Sequence, residues 1–192
     1  MIKKILFAAV FILAVSGCVD KKKVLNIQNQ DLCSAPVATL YLNTLEIQNK
    51  AETFNITEDE LLVALTENLQ KTNCFMVSTQ ERDKESLNVD YEYLLDTKVT
   101  LFQEREVYKK NIFKKEEREI LSMDISLYAH NNGKKINANA KSELAVSKSK
   151  ILGFSPEKDI QNDKKTVLQN ATKRVSILLN DGFIKMQKSQ NY

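Results

Sequence analysis

The stretch LSMDISLYAHNNGKKINANAKSELAV, residues 121–146, decides the fold. Leu121, Met123, Ile125, Leu127 and Ala129 alternate with mostly polar residues. Asn131-Asn132-Gly133 then supplies turn chemistry, and Ile136, Ala138, Ala140, Ser142, Leu144 and Val146 resume the alternation. Period-two alternation places every second side chain on one face of a strand, and Asn-Gly between two such runs marks a hairpin. The stretch predicts two antiparallel strands with one covered face and one that is partly polar.

Working back from it, Val89, Tyr91, Tyr93, Leu95, Val99 and Leu101 alternate with Asp90, Glu92, Asp96 and Lys98, a third half-exposed strand. Further upstream the pattern changes. Pro36 introduces Val37 to Leu42, a short β-prone run read as a strand buried on both faces, followed by a polar loop to Asn55. Thr57 and Glu60 form a capping box, Ile56 and Leu61 the flanking staple, and Leu61, Leu62, Leu65 and Leu69 recur at helical spacing through Lys71. Cys74 to Ser78 reads as another buried strand. Strand, helix, strand in this order implies a right-handed crossover and a parallel pair.

Downstream, Gly153 to Asp163 is expected to loop around Pro156. A last helix is expected over Lys164–Asn180, capped by Asp163 and closed by Gly182, with Phe183 packing back. The fold class is α/β (α+β): a mixed sheet of about five strands with helices on one face. It forms a single domain over 36–186, with a frayed tail at 187–192.

The N-terminal end predicts location. Lys3 and Lys4, the apolar run Ile5–Val15 and Ser16-Gly17-Cys18 make a secretion signal over 1–17 with a lipoprotein cleavage box. The motif resembles the bacterial lipobox, which implies cleavage before Cys18 and lipid on its sulfur. An uncleaved anchor needs roughly 20 apolar residues, more than this run holds. Residues 18–35, with Lys21, Lys22 and Lys23, read as a flexible tether.

The whole chain of 192 residues carries a formal charge of +3, which falls near +1 once Lys3 and Lys4 are removed. That balance gives no concentrated basic face for nucleic acid. Of three cysteines, Cys33 and Cys74 remain after lipidation. Outside the cytoplasm they can form a disulfide, or Cys74 can serve as a small buried apolar residue. Two cysteines do not make a metal site, and no cofactor is expected.

Chemistry is sparse. His130, the one histidine, stands beside the predicted turn as a solvated residue. There is no nucleophile elbow, zinc-binding helix motif, paired Cys-x-x-Cys or glycine-rich phosphate loop. Asp90 with Glu92, or Asp96 with Asp124, could face one another across strands as a glycosidase-like pair, but alternation places them on the solvated face. Asn55-Ile56-Thr57 matches a glycosylation sequon, with Thr57 better explained as a cap. The long charged connection Gln103–Glu119 stands out. It carries Tyr108, Lys109, Lys110, Ile112, Phe113, Lys114 and Lys115 as candidate partner contacts, or else it is an extended hairpin with a solvated tip.

The order of elements resembles a group of bacterial envelope lipoproteins that includes the penicillin-binding-protein activator LpoB and the curli channel CsgG. The residues that carry it are Val37–Leu42, Leu61–Thr79, Tyr93–Leu101, Ile125–Gly133 and Ala171–Leu179. The resemblance implies a periplasmic mixed sheet, no catalytic residues, and action through protein contacts. The chain lacks sequence for membrane-spanning hairpins, and its tether is short beside the activator's arm. Val19 rather than aspartate after Cys18 suggests sorting to the outer membrane. The expectation is a lipid-anchored, non-catalytic interaction module whose partner is another envelope protein or a second copy. A surface adhesin, a carrier of a small apolar ligand beneath the sheet, and an enzyme using paired carboxylates are the alternatives.

Overall fold

The structure, a computed structural model, describes residues 33–110, 114–151 and 160–190. The expected signal segment, Cys18, the expected tether up to residue 32, residues 111–113 with Ile112 and Phe113, residues 152–159 of the expected loop, and residues 191–192 lie outside the described residues. Five strands form one sheet: β1 (Ala38–Lys50), β2 (Phe75–Ser78), β3 (Glu92–Lys110), β4 (Lys114–His130) and β5 (Lys135–Ile151). Their order is β2-β1-β3-β4-β5. β1 runs parallel to β2 and β3, while β3, β4 and β5 are antiparallel neighbours. Helices α1 (Glu58–Gln70) and α2 (Ile160–Gln190) complete the α+β fold.

Both helices cover the same face. Leu40, Tyr93, Leu95, Leu101, Met123, Ile125 and Leu127 point from the sheet into a core closed by Leu61, Leu65 and Leu69 of α1 and Val167, Ala171, Val175 and Leu179 of α2. Phe183 meets Phe75 and Tyr93 edge-on, with ring centroids 5.1 and 4.9 Å apart. The predicted capping box is present: Glu60 N–H donates to Thr57 Oγ1 at 3.2 Å and Thr57 N–H to Glu60 Oε2 at 2.9 Å. Thr57 is thus a cap, with Ile56 and Leu61 both buried beside it.

Handedness places the next connection. With α1 covering one face on the way out from β1 to β2, the return past β1 to β3 is right-handed only across the other face. The segment between β2 and β3 does cross there, and its Leu87 packs with Tyr41 and Leu94 in a second small apolar cluster.

Several expected boundaries move. β1 continues to Lys50 instead of ending at Leu42, because a bulge between Leu42 and Thr44 resets its alternation. β3 begins at Glu92, so Val89 and Tyr91, 46% and 49% exposed, precede the strand. α2 starts at Ile160 and places Asp163 inside its first turn, not at the cap. It also runs through Gly182 to Gln190, so residues 187–190 of the expected frayed tail are helical. Gly182 is there for space: a Cβ at that position would come within 2.7 Å of Ile136 Cγ2, so the glycine lets α2 close onto β5.

Cys33 and Cys74 form a disulfide with Cα atoms 5.0 Å apart, and Cys74 is also fully buried. Of the two alternatives for Cys74 the structure shows the disulfide, with the bridged residue buried. The bridge fixes the chain just before β1 to the residue that leads into β2.

Candidate functional site

Three surfaces gather the residues with chemical potential. The first is on the sheet face away from the helices, around Asp96. The bulge in β1 presents Asn43 and Thr44 together, and both donate to Asp96 Oδ1 at 2.7 Å. His130 Nε2 lies 2.9 Å from Asp96 Oδ2, and the His130 ring stacks on Tyr128 with centroids 4.9 Å apart. Burial would raise the Asp96 pKa, but hydrogen bonds from Thr44, Asn43 and His130 outweigh it and hold the carboxyl below its ordinary value. His130 is thus not the solvated turn residue expected: it ends β4, is mostly covered, and is paired.

Beside it, Tyr41 Oη donates to Glu92 Oε1 at 2.9 Å, and Asn88 N–H donates to Glu92 Oε2 at 2.8 Å. These bonds lower the Glu92 pKa, led by the Asn88 backbone donor, while the carboxylate raises that of the Tyr41 phenol. The Arg82 guanidinium sits 5.3 Å from the Tyr41 ring centroid. None of this assembles the carboxylate pair weighed from the sequence. Asp96 stands opposite Tyr128 and Asp124 opposite Thr100, four residues apart along the ladder, and Asp90 precedes β3. Asp96 and Glu92 have donors on both oxygens, which suits ligation of the fold more than proton transfer.

The second surface is a groove of about 490 Å³ between the N-terminal ends of α1 and α2, with Ile56, Val63, Ala64 and Leu168 among its lining. It is not beneath the sheet, where the ligand-carrier alternative would require a cavity. There the side chains named above belong to one buried core cluster.

The third is the arm formed where β3, β4 and β5 continue past β1. Tyr108, Lys109 and Lys110 end β3, and Lys114 and Lys115 begin β4, so the charged connection is an extended hairpin, as one of its two readings had it. Lys110 pairs with Lys115 and Lys109 with Glu116, after a bulge at Tyr108. β5 adds a third strand, with Lys150 opposite Lys115 and Lys148 opposite Glu117. At the base of the arm Gln103 binds Glu119 and accepts the Thr53 N–H at 2.8 Å, which ties the hairpin to the turn after β1. Ile112 and Phe113, like Cys18, are outside the described residues.

The arm and the disulfide are at opposite ends of the sheet. Thr39 pairs with Glu92 at one end, next to Cys33 and Cys74, and β3 then runs 19 residues to Lys110. At ~3.3 Å per residue the separation is roughly 60 Å along the strand.

No protein-family model and no curated protein sequence matches the chain. Among solved structures it is similar to a neuraminyllactose-binding hemagglutinin homolog from Helicobacter pylori, at 12% identity over 81% of this chain and 87% of that one, with a TM-score of 0.44. It is similar to the PelC dodecamer from Paraburkholderia phytofirmans at 10% identity, 76% and 91% coverage and a TM-score of 0.36. A minor lipoprotein from Acinetobacter baumannii matches at 10% identity, 80% and 95% coverage and a TM-score of 0.33. Scores and identities of this size leave the functional reading to the chain's own residues.

Proposed function

We propose that this chain is a lipid-anchored, non-catalytic docking module of the bacterial envelope, of the kind represented by the LpoB and CsgG group. Lipid on Cys18 holds it to the outer membrane, and the β3–β4 arm meets another envelope protein. The observation that supports this most is the placement of the two ends. Fifteen positions separate Cys18 from Cys33, and the Cys33–Cys74 bridge fixes the point where that segment joins the domain, at the pole of the sheet away from the arm. A protein held at one pole presents the other to its surroundings. The Asp96 and Glu92 carboxylates, each with donors on both oxygens, are consistent with a structural role.

Cys18→Ala tests the anchor. The variant is expected in the soluble fraction after cell lysis and ultracentrifugation, whereas the unsubstituted chain sediments with membranes. Retention of the variant in the membrane pellet would remove the lipid from the account.

A further inference from the structure

We infer that the partner of the arm binds by strand addition: an extended segment of that protein pairs, backbone to backbone, with the free edge of β3 beyond the end of β1. The inference deepens the docking reading and rests on it.

Backbone direction along β3 fixes which groups face that edge. Thr39 N–H of β1 donates to the Tyr91 carbonyl at 2.7 Å. The N–H and C=O of one strand residue point to the same side, and the side alternates along the strand. Odd-numbered residues from Tyr91 onward therefore turn these groups toward β1, and even-numbered ones turn them toward β4. The last β1–β3 pair is Lys50 with Phe102. Beyond it, Arg105 and Val107 turn N–H and C=O to a side on which no described strand lies. β4 backs the same stretch, with Glu119 opposite Arg105 and Glu117 opposite Val107, and β5 backs β4. A row of backbone donors and acceptors held extended in this way is complementary to the backbone of another extended segment. Val107, 55% exposed, adds an apolar side chain beside the row.

The other edges of the sheet are less open. On the outer edge of β5, Arg174 Nη1 donates to the Lys141 carbonyl at 2.9 Å and so occupies the middle of that ladder. β1 past β2 begins with the bulge between Leu42 and Thr44, a feature that ends pairing. A second copy is not the source of the added strand. Two copies joined edge to edge about a two-fold axis run antiparallel, which points their Cys33 ends in opposite directions, and chains anchored in one bilayer cannot do that.

The test places a photoreactive amino acid at position 108 in intact cells and compares Val107→Pro with Val107→Ala. Proline removes the outward N–H and leaves the β3–β4 ladder intact, whereas alanine keeps the N–H. Adduct yield should fall about tenfold with proline, as loss of a main-chain hydrogen bond implies, and stay within about threefold with alanine. Equal yields from the two variants overturn strand addition while the docking reading stands. No adduct from the chain with Val107 intact overturns both, and an adduct with the mass of two copies overturns the choice of partner. Amide hydrogen exchange by NMR on the purified Cys18→Ala chain checks the edge without proline. Arg105 and Val107 should exchange about tenfold faster than Glu104 and Glu106, and equal protection of the four would overturn the inference.

Discussion

Asn131 does more than mark a turn. Its side-chain Nδ2 donates to the carbonyls of Val89 and Glu92 at 2.9 and 3.1 Å, and its Oδ1 accepts from Gly133 and Lys134 N–H at 3.1 and 2.9 Å. The Asn-Asn-Gly signal located the turn. The second use of the same side chain, binding the segment before β3, depends on tertiary neighbours that no local pattern encodes. Gly182 shows the opposite failure. Read locally it is a helix stop, but its role is set by Ile136 across the layer interface. Gly182→Ala should destabilise the protein by about 1 kcal/mol in urea unfolding, because an overpacking cost of ~1–3 kcal/mol exceeds the helix-propensity gain of about 1 kcal/mol. In an Ile136→Ala background the same change should stabilise. A stabilising effect in both backgrounds would refute the steric role. Asp96 sets a pH dependence. Its folded pKa lies below the ordinary 3.8, so the unfolded state binds its proton first. The stabilisation is present above pH 4 and lost as pH falls through the folded value. Asp96→Asn should flatten the acid limb of stability against pH below about 4, measured by denaturant titration at several pH values.

At the scale of elements, residues 121–129 of β4, 136–146 of β5 and α1 were legible because each keeps one period and is bounded by turn or cap chemistry. β1 was not. Its inward residues Leu40, Leu42, Leu45 and Ile47 are spaced two, three and two apart, since the bulge inserts one position. The sequence reading therefore stopped at Leu42. The same bulge brings Asn43 and Thr44 onto one carboxylate, which hid the Asp96 cluster as well. In the arm apolar alternation is absent from Glu104 to Glu119, so the sequence left an extended hairpin beside the contact reading, and pairing of β3 with β4 and of β4 with β5 makes the segment sheet. The disulfide closes a segment with a sequence separation of 41. In the chain-entropy model that is worth ~4 kcal/mol, so reduction should lower unfolding free energy by up to that amount while far-ultraviolet circular dichroism stays unchanged at low denaturant. Identical unfolding curves with and without reductant would contradict it.

At the scale of the molecule, the layers follow from two rules applied to one chain. A capped amphipathic helix covers one face of a parallel pair, and right-handed crossover sends the next connection over the other. What results has a covered core, an open face on which neighbouring donors hold Asp96 and Glu92, and two distant poles. The sequence offered Cys18 as an anchor and residues of the 103–119 stretch as candidate contacts. That Cys33 and the arm stand at opposite ends of the sheet became visible only in the Cys33–Cys74 bridge and the run of β3 to Lys110. Site-specific photocrosslinking in intact cells tests this arrangement most directly, with the photoreactive amino acid at position 108 on the arm or at position 139 on the exposed side of β5. The account predicts a discrete protein adduct from position 108 that disappears with Cys18→Ala, and none from position 139. An adduct from 139 alone, or one from 108 that persists without the lipid, would contradict it.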